Sequence, residues 1–230
     1  MNSKVMINNE ITNNHSTNLV DNATNTIRDK IFTHEFPGDT IITEVKLAEE
    51  LKVSRGVIRS SLKELQTQGL VMAMPNGRKR VIGFTLKYIT DLYDVRKTLE
   101  TKAIEGILQN DNIRMNFLSK AIQIVDLIND DRFKSPEKHA ELDYLFHKTI
   151  VEESGNYIVM QCWNTIAPLL ITLFKINTSR EKNHAKYYDI HTAIVEKIVR
   201  HDDEAIQLIS QHFDESRNMI INTLKNLNYI

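Results

Sequence analysis

The chain has 230 residues, which suits one large domain or two small ones, and its 41% hydrophobic and 26% charged residues describe an ordinary globular protein. The net charge of −1 argues against a polycationic nucleic-acid coat, and a single cysteine excludes an intramolecular disulfide framework. That cysteine, Cys162, lies beside Trp163 in an apolar stretch, which predicts a buried, inert thiol. With no secretory pattern and no apolar run near the roughly 18 residues that cross a bilayer, we expect a cytoplasmic protein.

The average charge conceals a difference between the two parts of the chain. Residues 17–84 carry ten Lys or Arg against eight Asp or Glu, whereas residues 85–230 carry eighteen against twenty-one. The N-terminal part is therefore slightly basic. This becomes informative only if the basic side chains share a face.

Residues 1–16 are rich in Asn and poor in apolar side chains, which predicts a disordered arm. The segment 17–84 then has helical periodicity near 19–34, an N-cap at Thr43 before a short second helix, and a third helix near 55–68. Pro75-Asn76-Gly77 lies within a loosely alternating stretch that predicts a hairpin. Three helices followed by a hairpin indicate a winged helix-turn-helix.

From Leu86 onward the pattern is helical, so residues 85–230 are predicted to form an all-α bundle and the fold is mainly α. Scarce Gly and Pro, at seven and four, agree with this. Pro168 should kink or divide the helix that contains it. The predicted helices lie near 86–109, 112–130, 136–153, 156–177, 183–200 and 202–227.

The third predicted helix is the second helix of the helix-turn-helix, and it is therefore the candidate for reading DNA. In this motif the second helix enters the major groove with its N-terminal turn toward the bases. Arg55 and Arg59 are four residues apart and share a face, and Ser54 can cap the helix. An arginine fork recognises guanine, and a cationic wing suits phosphates or the minor groove. Taken singly, these could be ordinary solvated residues; the whole arrangement predicts DNA binding. The wing candidates are Gly77, Arg78, Lys79 and Arg80.

Residues 36–82 resemble the DNA-binding domain of the GntR regulators. The shared features are Pro-Gly before the second helix, Leu-Ala within it, Val-Ser-Arg at the turn, Arg59, and Leu-x-x-x-Gly-Leu before the wing. Gly56-Val57-Ile58 replaces the usual Thr-Pro-Val, and Val45 replaces a phosphate-contacting arginine of some members, leaving adjacent Lys46 as the candidate. The resemblance implies a dimer that binds a near-palindromic DNA operator.

The C-terminal part places metal-capable side chains on apolar helix faces. Asp143 and His147 are four residues apart on one predicted helix, while His191 and His212 each share an apolar stripe on another. Three imidazoles and a carboxylate suit a divalent transition metal. However, an inward histidine is more often a hydrogen-bonded core residue, and periodicity alone does not bring three helices together.

Residues 86–217 resemble the ligand-binding domain of the FadR/FCD subgroup of GntR regulators, through "DLYDVRKTLE" (91–100), "DYLFHKTIVEESGN" (143–156) and "HTAIVEKIVRHDDEAIQLISQHF" (191–213). The resemblance implies that Asp143, His147, His191 and His212 bind a metal, with zinc expected first and nickel or manganese as alternatives. It also implies an effector contact from Arg96, whose alternative is a salt bridge to Glu100. Asn156 is an effector contact or only a helix cap.

Together these features predict a non-enzymatic transcription regulator. The resemblance implies a repressor, because repression is the commoner mode of action in that family. A small carboxylate metabolite, bound at the metal, would control its affinity for DNA. Two alternatives stay open: a metal-dependent hydrolase, because an Asp/His₃ site with open positions can activate water, and a regulator whose metal is purely structural.

Overall fold

The computed structural model describes residues 3–130, 135–178 and 184–230, with side chains from 18–130, 135–175 and 190–230. The described part of the chain is mainly helical, as predicted. Its helices are α1 Ser3–Phe32, α2 Glu44–Leu51, α3 Arg55–Thr67, α4 Leu86–Gln109, α5 Asp111–Asn129, α6 Pro136–Glu153, α7 Tyr157–Thr178, α8 His184–Val199 and α9 Glu204–Asn226. Its strands are β1 Ile41–Ile42, β2 Val71–Ala73 and β3 Lys79–Val81.

The chain divides into two compact units. The first comprises Met1–Thr85 with Tyr229, and the second comprises Leu86–Asn228 with Ile230. The division after Thr85 lies next to the boundary expected from the change in sequence pattern.

The first unit begins with α1, which is longer than expected. It starts at Ser3, so residues 3–16 are helical where a disordered arm was predicted. Asn-rich composition lowers helix propensity, but a helix extends at low cost once a packed turn exists, because each added residue brings one hydrogen bond. The packed part of α1 includes Ile27 and Ile31, which are almost fully buried.

Helices α2 and α3 form the helix-turn-helix on the predicted residues. Thr43 caps α2, its hydroxyl accepting from the Lys46 amide at 3.4 Å. Helix α2 ends at Leu51, and the left-handed backbone of Lys52 (φ 55°) then turns the chain toward α3. The core between these helices and α1 consists of Ile27, Ile31, Leu47, Ile58, Leu62 and Leu65.

The wing is a three-stranded antiparallel sheet in the order β1-β3-β2, not the two-stranded hairpin that was predicted. Strand β1 pairs with β3 through Ile41 opposite Arg80 and Ile42 opposite Lys79. A two-residue strand is too short to show an alternating pattern in the sequence. Its pairing partner lies almost forty residues away, so no local signal predicts it.

The second unit contains helices α4 to α9, each within two residues of its predicted bounds. The break expected at Thr178-Ser179 involves residues 179–183, which lie outside the described residues. Pro168 does not divide α7, which continues through it. Its neighbours Ala167 and Leu169 are buried, so packing holds the helix together where one backbone N–H is missing.

Helix α7 corrects two expectations. Its stretch Tyr157–Lys175 is long and apolar enough to cross a membrane, although no such run was expected. It buries Trp163, Leu170 and Leu173 completely, however, as the core helix of a globular domain does. Cys162 is exposed, not buried, because adjacent helical residues point about 100° apart and Trp163 takes the inward direction.

Candidate DNA interface and metal centre

Helix α3 presents one face to the core and one to solvent. Ser54 caps its first turn, with its hydroxyl accepting from the Val57 amide at 3.3 Å. Ile58 and Leu62 are fully buried, whereas Arg55 and Arg59 are exposed on the other side. The outward face therefore carries the two arginines that the sequence proposed as base-reading residues.

Arg59 is held in an ion pair across the helix-turn-helix. Its Nε donates to Glu44 Oε1 at 3.1 Å, and its Nη2 donates to Oε2 at 2.9 Å. Glu44 lies in the first turn of α2, and the hydrogen bond from Arg59 lowers the pKa of its carboxyl. The pair uses Nε and one hydrogen of Nη2, so Nη1 and the other hydrogen of Nη2 are left to form a fork for a guanine edge.

The remaining cationic candidates lie on α2 and the wing. Lys46 and Arg78 are exposed, and Gly77 turns the wing with φ 77°, a conformation that favours glycine. Lys79 is half-buried, with its ammonium donating to Gln66 on α3 at 2.6 Å. Arg80, the third cation of the wing, pairs with Asp39. The candidate DNA-binding residues therefore belong to one unit, on α2, α3 and the wing.

In the second unit, three helices bring four buried metal-capable side chains together. Asp143 and His147 come from α6, His191 from α8 and His212 from α9, with 5, 0, 1 and 4% of each residue exposed. Each offers one ligand atom, and these four atoms lie within 4.8 Å of one another. The helical spacing predicted only the pairing on α6; the structure supplies the convergence of the other two helices.

The donor atoms are spaced as ligands of one ion would be. Asp143 Oδ1 lies 3.1 Å from His191 Nε2 and 3.5 Å from His147 Nε2. His147 Nε2 lies 3.3 Å from His212 Nε2. Ligands about 2.1 Å from one ion are separated from one another by roughly 3.0 Å at octahedral angles, which leave positions open, and by roughly 3.4 Å at tetrahedral angles. The donor set and its spacing therefore fit a divalent transition metal.

Burial and mutual contact shift the pKa values of Asp143, His191 and His212 toward their metal-binding forms. Burial would also lower the pKa of His147, but Glu100 and Asp143 raise it. Burial alone would raise the pKa of Asp143, but its close contacts with the His147 and His191 rings hold it well below its usual value. Burial, and then the neighbouring histidines, hold the pKa of His212 well below its usual value, and burial also lowers that of His191. A carboxylate and neutral imidazoles are the forms that bind metals.

Arg96 is fully buried on α4 beside this cluster. Its Nε donates to Glu100 Oε1 at 2.8 Å, so the salt bridge considered from the sequence is present. Its guanidinium carbon lies 4.7 Å from the Phe174 ring centre and 4.6 Å from that of Phe213. Nη1 and Nη2 are buried without a hydrogen-bond partner among the described residues. Two donors are therefore left for a ligand.

Asn156 is an exposed helix cap in this structure. Its side-chain oxygen accepts from the Val159 amide at 3.1 Å at the start of α7. This is the capping alternative that the sequence left open.

Sequence reasoning missed the full role of Glu100. It was considered only as a partner for Arg96, yet it also contacts His147 Nδ1 and accepts a hydrogen bond from Trp163. The spacing of Arg96 and Glu100 on one helix gave the first contact, whereas the other two come from helices distant in sequence.

A winged helix-turn-helix followed by a helical bundle is the organisation of a DNA-binding transcription regulator. The chain belongs to the GntR family of such regulators. Residues 19–81 match the family described as "Bacterial regulatory proteins, gntR family", and residues 91–215 match the FCD domain. The resemblance drawn from the motifs is thereby confirmed.

Curated relatives agree with this assignment, and a solved structure shares the fold. The chain is 29% identical over 202 residues to a gluconate operon transcriptional repressor of Bacillus licheniformis and 27% identical over 202 residues to one of Bacillus subtilis (strain 168). Each match covers 84% of this chain and 82% of the relative. The structure of E. coli McbR/YncC shares the fold, with a TM-score of 0.64 at 14% identity over 89% of this chain and 97% of that one.

Proposed function

We propose that this GntR-family regulator is a cytoplasmic repressor that binds a near-palindromic operator as a homodimer. We further propose that a small carboxylate metabolite, bound beside a divalent metal in the FCD domain, lowers its affinity for DNA. The observation that carries the proposal is the placement of a buried Asp/His₃ cluster in the same bundle as an arginine with two unpartnered donors.

The DNA-binding part of the proposal is supported by the first unit. Arg55 and Arg59 project from the exposed face of α3, and Ser54 leaves the helix N-terminus suited to a phosphate. Lys46, Gly77, Arg78 and Lys79 add contacts to the backbone of the duplex. One recognition helix reads only a few base pairs, so two copies related by a two-fold axis would read the two half-sites.

The effector-binding part is supported by the chemistry of the second unit. Asp143, His147, His191 and His212 would hold the metal, which when bound supplies an open, Lewis-acidic position for an oxygen ligand. Arg96 would bind the ligand's carboxylate through Nη1 and Nη2, because a guanidinium fork matches the two carboxylate oxygens. Phe174 and Phe213 hold the guanidinium in place and limit the access of water.

Gluconate is the first ligand to test. The two Bacillus relatives are named as gluconate operon repressors, and gluconate is a small carboxylate of the kind that Arg96 would bind. For any such ligand to regulate, it must favour one state of the protein over another, typically by about 1–3 kcal/mol.

The test is to purify the full chain, determine its metal content, and titrate gluconate into zinc-loaded and chelated protein by calorimetry. We expect stoichiometric metal and gluconate binding that depends on it. A melting temperature that rises with metal, together with no response to any carboxylate tried, would favour a purely structural metal. Turnover in a hydrolysis screen would contradict the non-enzymatic interpretation, which the regulatory relatives support.

A further inference from the structure

Glu100 is a buried carboxylate that joins three helices of the second unit. It is fully buried on α4, where Oε1 accepts from Arg96 Nε at 2.8 Å and from Trp163 Nε1 at 3.2 Å. Its Oε2 lies 2.6 Å from His147 Nδ1. Because Oε1 faces two donors, one of them on an always-charged guanidinium buried with it, the side chain is the carboxylate that only accepts hydrogen bonds.

This contact determines which nitrogen of His147 carries a hydrogen. Because an ionised carboxylate cannot donate, the Nδ1 that faces it must be the donor. In the neutral ring the lone pair is then on Nε2. That nitrogen faces Asp143 and His212 in the cluster.

The same carboxylate also fixes Arg96. By accepting from Nε, it holds the guanidinium so that Nη1 and Nη2 are the donors left over. The side chain thus touches both a metal-capable histidine and the candidate effector-binding arginine.

We infer that Glu100 is a positioning residue that orients His147 for metal binding and Arg96 for carboxylate binding. This inference rests on the metal site of the proposed function. A simpler role would be to neutralise the buried charge of Arg96. The positioning role requires a hydrogen-bond acceptor opposite His147 Nδ1, whereas neutralising Arg96 does not.

Glu100→Gln separates them. Glutamine has the same shape and keeps an oxygen for Arg96 and Trp163, but it then presents an NH₂ group to His147 Nδ1. Nδ1 must become the acceptor, which moves the ring hydrogen to Nε2 and removes the lone pair from the cluster. Trp163→Phe is the matched control, because it removes another donor to the same carboxylate without changing the demand on His147.

The experiment titrates Zn²⁺ against a chromophoric chelator competing with full-length, metal-free protein. We expect Glu100→Gln to bind zinc about 10–100-fold more weakly than wild type, the usual effect of losing a partner behind a metal-binding histidine. We expect Trp163→Phe to stay close to wild type. Equal zinc affinity of wild type and Glu100→Gln would overturn the inference while leaving the metal site intact.

A second measurement does not depend on a folded variant. Nitrogen-15 correlation spectra of metal-free wild type, at a pH where the ring is neutral, should show His147 protonated on Nδ1. Protonation on Nε2 would overturn the inference. Failure of wild type to bind zinc would contradict the proposed function as well, and the titration of wild type alone would reveal it.

Discussion

Arg59 and Glu44 form a two-point ion pair that joins α3 to α2 on the exposed side of the helix-turn-helix, with Nη2 to Oε2 at 2.9 Å. The arginine side chain is 66% exposed, whereas the glutamate is 24% exposed. An exposed pair contributes little to stability, because water screens it. Its effect is to restrict the direction of a guanidinium that would otherwise sample many rotamers.

We therefore expect different consequences from removing each partner. Arg59→Ala should weaken operator binding by about 1–3 kcal/mol, the cost of losing a base-reading arginine.

Glu44→Ala should reduce the ratio of specific to non-specific binding, while non-specific affinity stays the same or rises because a negative charge near DNA is lost. Fluorescence anisotropy on operator and scrambled duplexes at several salt concentrations measures both. An unchanged ratio in Glu44→Ala would contradict an orienting role.

Removal of a cluster residue should abolish metal binding. Asp143→Ala and His212→Ala each delete one of four converging ligands, so we expect metal content after dialysis to fall to a small fraction of wild type. The matched control is His139→Gln, since His139 is a buried histidine on the same helix as Asp143 and lies outside the cluster. Elemental analysis provides the measurement. Full metal content in either alanine variant would refute the assignment of the site.

Arg96→Lys should separate ligand binding from metal binding. Lysine keeps the positive charge near Glu100 but lacks the planar fork that matches a carboxylate. We expect zinc affinity to change little and gluconate binding to weaken roughly tenfold or more, given that each charge-assisted hydrogen bond contributes about 1.5–3 kcal/mol. Calorimetry on the zinc-loaded variant gives both quantities. Wild-type gluconate affinity would show that Arg96 is only a structural residue.

The metal-free protein should lose stability as the pH falls below the ordinary histidine pKa of 6.5. Burial holds the pKa of His212 well below that value, so as the pH falls below 6.5 the unfolded chain takes up a proton that the folded protein does not. The free energy of unfolding then falls by at most about 1.4 kcal/mol per pH unit for this residue. His147, whose pKa is raised, acts above pH 6.5 and in the opposite sense.

His212→Gln tests this dependence. Urea unfolding in the presence of a chelator should show a flatter dependence of stability on pH between 5 and 6.5 than in wild type, with the remaining slope arising from groups such as His191, whose pKa is also lowered. Identical slopes in the two proteins would mean that His212 takes up a proton as readily in the folded protein as in the unfolded chain, which would contradict its burial-lowered pKa.

Periodicity predicted most of the helices because their buried stripes are long. Helix α6 shows this well: its i, i+4 spacing placed Asp143 and His147 on one face, and the structure agrees. The convergence with His191 and His212 could not be predicted from spacing, because it depends on how separate helices pack. It came instead from resemblance to the FCD family.

The mistaken predictions share a physical cause. Cys162 was predicted to be buried from its apolar neighbours, and residues 3–16 to be disordered from their composition, but both depend on what the helix as a whole does. Strand β1 and the contacts of Glu100 are long-range pairings with no local signal. The composition of a segment is an average over all faces of a helix, whereas each face is buried or exposed separately.

The most direct test of metal- and ligand-controlled DNA binding uses an operator selected from a random-sequence library. Fluorescence anisotropy would compare zinc-loaded, chelated and gluconate-saturated protein on that duplex, with Arg59→Ala as the control. We expect tight, salt-sensitive binding that Arg59→Ala weakens, and an affinity that changes on chelation and falls with gluconate. Selection of no preferred sequence would contradict the DNA-binding interface, and an affinity unaffected by chelation and by every carboxylate tried would contradict control by the metal centre.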